Sequence, residues 1–137
     1  MEHLSHSVTE TEAIAAKLAE SLGPNDVIAL EGELGAGKTQ FVRGLVKALG
    51  GDGRAVSSPT FVLLNVYQTP LFAVYHLDAY RVGGADDFAS IGFSELLEQN
   101  GIVVVEWSSR VKEILPAKRI NVSFEITGKN SRIIRVE

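Results

Sequence analysis

The chain contains no cysteine. That excludes disulfides, Cys-ligated zinc, iron–sulfur clusters and thiol nucleophiles, and it is the composition expected of an intracellular protein. Long apolar runs are also missing, since nothing approaches the roughly 18 consecutive residues that a membrane span requires. Positive charge is in short supply as well. Thirteen Lys and Arg face 17 Asp and Glu, for a net charge of −4. Such a balance gives no broad basic patch for capturing nucleic acid by counterion release. Any role involving RNA is therefore expected to run through a protein partner. The opening residues Met1 to His6 carry neither a basic n-region nor an apolar h-region, so the expectation is a cytoplasmic protein with no membrane association.

What is present suits one folded unit. At 137 residues, with 45% hydrophobic and 22% charged, the chain is long enough to bury a core without covalent staples, and one domain over 1–137 is expected. Thr9-Glu10-Thr11-Glu12 reads as a capping box opening a helix over about residues 10–22, with Gly23-Pro24 as its stop. Val27 to Leu30 is a short run of buried-strand type. After it, Phe41, Leu45, Ala48 and Leu49 fall at helical spacing, ended by Gly50-Gly51. Phe61 to Tyr67 and Phe72 to Leu77 predict two strands, antiparallel because the connection is short. Residues 84–98 predict two short helical pieces around Gly92. Ile102 to Val105 is unbroken and β-branched-rich, as in a strand buried on both faces. Ser108 to Leu115 is weakly helical up to Pro116, and the alternation from Ile120 to Ile126, the turn at 128–130 and Ile133 to Val136 give a terminal hairpin. The order α-β-α-β-β-α-β-α-β-β predicts an α/β fold, a mixed sheet flanked by helices.

Gly32-Glu33-Leu34-Gly35-Ala36-Gly37-Lys38-Thr39 matches GxxxxGK[ST] at every fixed position. Between a strand and a helix this is a P-loop. Its glycines let backbone N–H groups face phosphate oxygens, its lysine reaches the outer phosphates, and its hydroxyl ligates Mg²⁺. The plain alternative is a Gly-rich turn ending in a surface lysine. Such a site also needs a carboxylate at the end of a buried strand. Glu106 follows the better strand and Asp78 is the usual residue type; either could instead cap a helix or pair with Arg81 or Arg110.

Other positions admit two readings. Ser58-Pro59-Thr60 could set Thr60 against a terminal phosphate, as switch segments do, or be a Ser-Pro turn that starts a strand. Arg81 could place a positive charge on a transferred phosphoryl group or pair with Asp86 or Asp87. His76 reads as a packed strand histidine more than a catalyst, and Trp107, the single tryptophan, as a core or interface anchor. Lys118, Arg119, Lys129, Arg132 and Arg135 make the C-terminal third basic, either as solvated strand faces or as a docking face for RNA or a partner.

Taken together, GELGAGKT (32–39), SPTF (58–61), HLDAYR (76–81), IGFSELL (91–97) and VVVEW (103–107) resemble the TsaE family of P-loop ATPases of tRNA N6-threonylcarbamoyladenosine biosynthesis. The resemblance runs over nearly the whole chain in order and spacing. It implies a small single-domain P-loop fold that binds ATP and Mg²⁺. It implies TsaB and TsaD as partners, with tRNA reached only indirectly through that complex, which modifies the adenosine next to the anticodon in ANN-decoding tRNAs. By the same resemblance, Leu34, Gly35, Ala36, Gly37, Lys38 and Thr39 hold the phosphates, Thr39, Glu106 and Asp78 face the metal, and Lys38, Asp78, Glu106 and Thr60 are the residues of turnover. Trp107 gains functional weight. The chain departs from the family pattern at Ser108-Ser109, where relatives often carry a proline and an acidic residue.

Two rivals stand beside the ATPase reading. A small-molecule or nucleoside kinase usually needs an Arg-rich lid, and no Arg cluster lies between 40 and 100. A nucleotide-dependent protein-binding module would use ATP occupancy to set partner affinity. A GTPase is disfavoured because no NKxD-type guanine motif is present.

Overall fold

The computed structural model describes residues 1–33, 35–59, 63–80 and 85–137. Its strands are β1 Glu2–Ser5, β2 Val27–Glu31, β3 Leu64–Gln68, β4 Ala73–Asp78, β5 Ile102–Glu106, β6 Ile120–Ile126 and β7 Arg132–Val136. Its α-helices are α1 Val8–Ala19, α2 Lys38–Ala48, α3 Ala85–Ser90 and α4 Phe93–Leu96, with 3-10 segments at Gly53–Ala55 and Ser108–Ile114. Among the described residues no helix is long and apolar enough to cross a membrane.

The strands form one mixed sheet in the order β1-β7-β6-β2-β5-β4-β3. The central four, β6, β2, β5 and β4, run parallel, and the pairs at both ends are antiparallel. Parallel strands need covering on both faces, and the apolar residues divide accordingly. Ile28, Leu30, Ile102, Val104, Val122 and Phe124 pack toward α1 and α2, while Val27, Ala29, Val103 and Val105 pack toward Phe88, Phe93 and Val111. In β5, Ile102 to Val105 are fully buried, each contributing roughly 1.5–3 kcal/mol of apolar burial. Helices α1 and α2 approach closely at Gly44, where an added Cβ would lie 2.6 Å from the Glu12 backbone. Only glycine fits there.

The structure differs from the sequence reading in three places. Strand β1 has no clear alternating pattern. It forms because β7 offers a free edge, and the Met1 ammonium closes the pair by donating to Val136 O at 2.9 Å. Helix α1 starts two residues earlier than expected. Ser7, not Thr9, is the cap: its Oγ accepts from Glu10 N–H, and the Glu10 carboxylate accepts from His6 N–H at 2.8 Å. At the other end α1 stops at Ala19, because Ser21 and Leu22 N–H groups take i→i−3 bonds that tighten the last turn before Gly23-Pro24. Strand β3 is described from Leu64; Phe61 and Val62, where the sequence reading opened it, lie outside the described residues, and Leu63 is not part of it. Leu63 takes a φ of 66°, which breaks extended backbone, and its N–H bonds Pro59 O.

Candidate functional site

The site lies where β2, β5 and β4 end together. Register pairs Leu30 with Glu106 and Asp78 with Glu106, so the parallel strands present their carboxyl ends side by side. In open α/β sheets that crevice is where ligands bind. Strand parity decides which way the side chains point. Asp78 follows the α2-facing Val74, and Glu106 follows the α2-facing Ile102 and Val104. The two carboxylates therefore stand beside each other on the side of the phosphate-type loop. Asp78 is 2% exposed and Glu106 3% exposed.

The loop itself is shaped by glycine. Gly35 and Gly37 have φ of 79° and 103°, and Gly37 caps α2 with no side-chain hydrogen bond to the helix N-terminus. The first N–H groups of α2 are thus left to a ligand, with the helix dipole favouring an anion. Arg132 braces the loop from β7: its Nη1 donates to Ala36 O at 3.0 Å and would lie 2.5 Å from a Cβ on Gly37. Gly37→Ala is therefore expected to destabilise the protein by about 1–3 kcal/mol and to weaken nucleotide binding. Urea unfolding with and without nucleotide checks both effects.

Lys38 is 5% exposed. Its ammonium donates to Gly32 O and to Glu33 O and sits 4.1 Å from the centre of the Trp107 ring. Burial lowers its pKa, while the nearby Glu106, Glu31 and Asp78 charges pull it back up. A desolvated ammonium gains more from an incoming anion than a solvated one does.

Trp107 takes a left-handed conformation (φ 56°, ψ 43°) where β5 turns into the 3-10 segment. Ser108 and Ser109 account for this turn. The Glu31 carboxylate accepts from Ser108 Oγ at 3.2 Å, Ser109 N–H at 2.9 Å and Ser109 Oγ at 3.2 Å. It thereby caps the segment from the end of β2. The indole then packs against the Tyr80 ring at 4.8 Å, tilted by 43°, and covers Lys38.

The pocket holds about 240 Å³ and is lined by Gly35 to Gln40, Ser58, Asp78, Glu106 and Trp107. It brings together Gly35, Ala36, Gly37, Lys38, Thr39, Asp78 and Glu106 of the expected site. Leu34, Thr60 and Arg81 lie outside the described residues. On the switch-like segment Ser58 Oγ is 3.5 Å from Asp78 Oδ2. Among the described residues no three His, Asp or Glu side chains cluster as a self-sufficient metal cage. A hydroxyl and two carboxylates are nevertheless a hard-oxygen set that fits magnesium, which usually takes only one or two protein carboxylates and leaves its other positions to phosphate and water.

Sequence reasoning missed Glu31, Gln40, Tyr80 and Arg132. Tyr80 lies within the HLDAYR stretch and Arg132 among the basic C-terminal residues, but neither had been assigned to the site, and Glu31 and Gln40 carried no motif. Three of the basic C-terminal residues are tied to separate partners. Arg119 bonds Pro116 O and Asn121, Arg132 bonds the loop, and Arg135 pairs with Glu2 and Glu125.

Comparison with known proteins adds to this geometry. The family model described as "Threonylcarbamoyl adenosine biosynthesis protein TsaE" matches residues 5–134. The tRNA threonylcarbamoyladenosine biosynthesis protein TsaE of Rickettsia typhi is 38% identical, covering 98% of this chain and 93% of its own length. The protein of that name from Aquifex aeolicus is 40% identical over 99% of this chain and 98% of its own. The crystal structure of Bacillus subtilis YdiB superposes with a TM-score of 0.80 at 30% identity, covering 98% of this chain and 82% of that one.

Proposed function

Because the chain belongs to the TsaE family and so to tRNA threonylcarbamoyladenosine biosynthesis, we propose that its part there is magnesium-dependent ATP hydrolysis, acting with TsaB and TsaD to permit repeated rounds of modification. The observation that carries this reading is the convergence of Lys38, Thr39, Asp78 and Glu106 on one pocket at the head of α2. The loop N–H groups and Lys38 bind and orient the phosphates. Thr39, Asp78 and Glu106 would hold the metal, which when bound neutralises phosphate charge and favours departure of the terminal phosphoryl group. Trp107 screens the Lys38 ammonium from water, which strengthens its attraction for phosphate.

A domain of 137 residues with a net charge of −4 has little independent pull on tRNA. Hydrolysis here would reset a complex rather than feed phosphate to a substrate. The test is reconstituted threonylcarbamoylation of tRNA over several turnovers, with TsaB, TsaD and the adenylate supply present. Omitting this chain is expected to hold modification to about one round. Undiminished multiple-turnover modification in its absence would reopen the kinase and binding-module readings.

A further inference from the structure

A chain of buried polar side chains leads away from the pocket and is not accounted for by nucleotide binding. His76 is fully buried in β4. It lies one alternation behind Asp78 on the same face, and its register partner is Val104, two residues before Glu106. From that diagonal position its Nε2 shares a hydrogen bond of 2.5 Å with Glu106 Oε2. Its Nδ1 lies 3.0 Å from the hydroxyl of Tyr67, which is 5% exposed, and Tyr67 donates in turn to Ser57 O at 2.9 Å. Asn65 Nδ2 donates to the same carbonyl at 3.2 Å, and Ser57 N–H donates back to Tyr67 Oη at 3.3 Å. On the far side Arg43 of α2 donates to Gly53 O and Val56 O, so the segment leading into Ser57 is held to the helix that begins at Lys38.

We propose that His76 is a positioning residue which, through Tyr67, ties the Glu106 carboxylate to the backbone at Ser57, so that carboxylate orientation and the Ser57–Pro59 segment move as one unit. The proposal rests on the magnesium–nucleotide reading of the pocket. Apolar packing alone does not explain the site, because a leucine or valine at 76 would fill the same core position without polar atoms to satisfy. With the histidine present, one Glu106 oxygen is fixed by the ring and the other is left toward the pocket. Outer-sphere partners of this kind set the direction of a metal-facing carboxylate. The other end of the chain reaches backbone next to Ser58, whose hydroxyl faces Asp78. A shift at Ser57 is thereby transmitted to both carboxylates.

Trp107 is the only tryptophan and adjoins Glu106, so its emission reports magnesium titration of the ADP-loaded protein without any turnover. His76→Leu is expected to raise the magnesium concentration at half-saturation by about tenfold or more, with nucleotide affinity in the absence of magnesium changed less than about twofold. His76→Gln, which keeps a donor toward Glu106, is expected to recover most of the loss. If His76→Leu does not fold, Tyr67→Phe carries the test. It removes one hydroxyl, and about a threefold rise is expected together with faster amide exchange at Ser57 and Ser58. Unchanged half-saturation in His76→Leu, or in Tyr67→Phe where that variant stands in, would overturn the proposal. So would equal shifts in His76→Leu and His76→Gln that follow melting temperature alone. Glu106→Gln serves as the reference: if it too leaves magnesium half-saturation unchanged, the metal reading of the pocket has failed and this inference falls with it.

Discussion

Lys38→Ala is expected to reduce ATP turnover by about 100-fold or more while leaving a folded protein. Among the described residues the ammonium is one of few buried charges, and the contacts that hold it there are two loop carbonyls and an indole face rather than an ion pair. Those contacts position it over the crevice but add little net stability, because burial of the ammonium opposes them, as the lowered pKa of Lys38 indicates. Alanine removes the charge proposed to meet the phosphates and also the desolvation penalty of keeping it buried. The folding free energy is expected to change by less than about 1–2 kcal/mol, since Gly32 is half-buried and Glu33 exposed, so that water can replace the lysine at their carbonyls. Nucleotide affinity by calorimetry, phosphate release and a thermal melt together give the result. A folded variant with undiminished binding and release would remove the phosphate-loop assignment.

Glu106→Gln is expected to cost about 100-fold in magnesium-dependent phosphate release and to keep its shape. The substitution retains an oxygen and the reach to His76 but deletes the negative charge beside Asp78 and Lys38. A neutral amide is a much weaker ligand for a hard dication than a carboxylate. Asp78→Asn is expected to act in the same direction, because register places it directly across from Glu106 on the same face. Its backbone role is preserved in the variant, since Asp78 N–H still bonds Leu63 O. Phosphate release measured across a magnesium titration distinguishes the two positions. Full activity in both single variants and in the double variant would place the metal elsewhere.

Both results depend on a site whose parts differ in how plainly the chain announces them. The loop from Gly32 to Thr39 is contiguous, and its requirements are local: glycines for φ of 79° and 103°, then a lysine and a hydroxyl opening a helix. Glu106 could be anticipated because Ile102 to Val105 form an unbroken β-branched-rich run with the pattern of a buried strand, which puts the charge after it at a strand end. The break at Gly92 between α3 and α4 was legible for a similar reason, as its φ of 81° is a conformation that glycine adopts without strain.

Other features had no local signature. Helix α1 is capped by Ser7 and not by Thr9 because Ser7 Oγ accepts from Glu10 N–H while the Glu10 carboxylate accepts from His6 N–H. Strand β1 exists only because β7 has an edge to offer, which depends on a hairpin more than a hundred residues away. The conformation of Trp107 follows from Glu31 reaching Ser108 and Ser109.

The sequence by itself determined the glycine-rich loop before α2, the alternation of strands and helices and the buried strand that delivers Glu106, since each rests on the periodicity or steric needs of neighbouring residues. Only the tertiary structure decided that Asp78 stands beside Glu106, that Arg132 braces Ala36, and that His76 joins Glu106 to Tyr67. Those pairings are fixed by parallel register and strand order, which come from burying both faces of the sheet at once, a long-range condition that no short stretch of sequence contains.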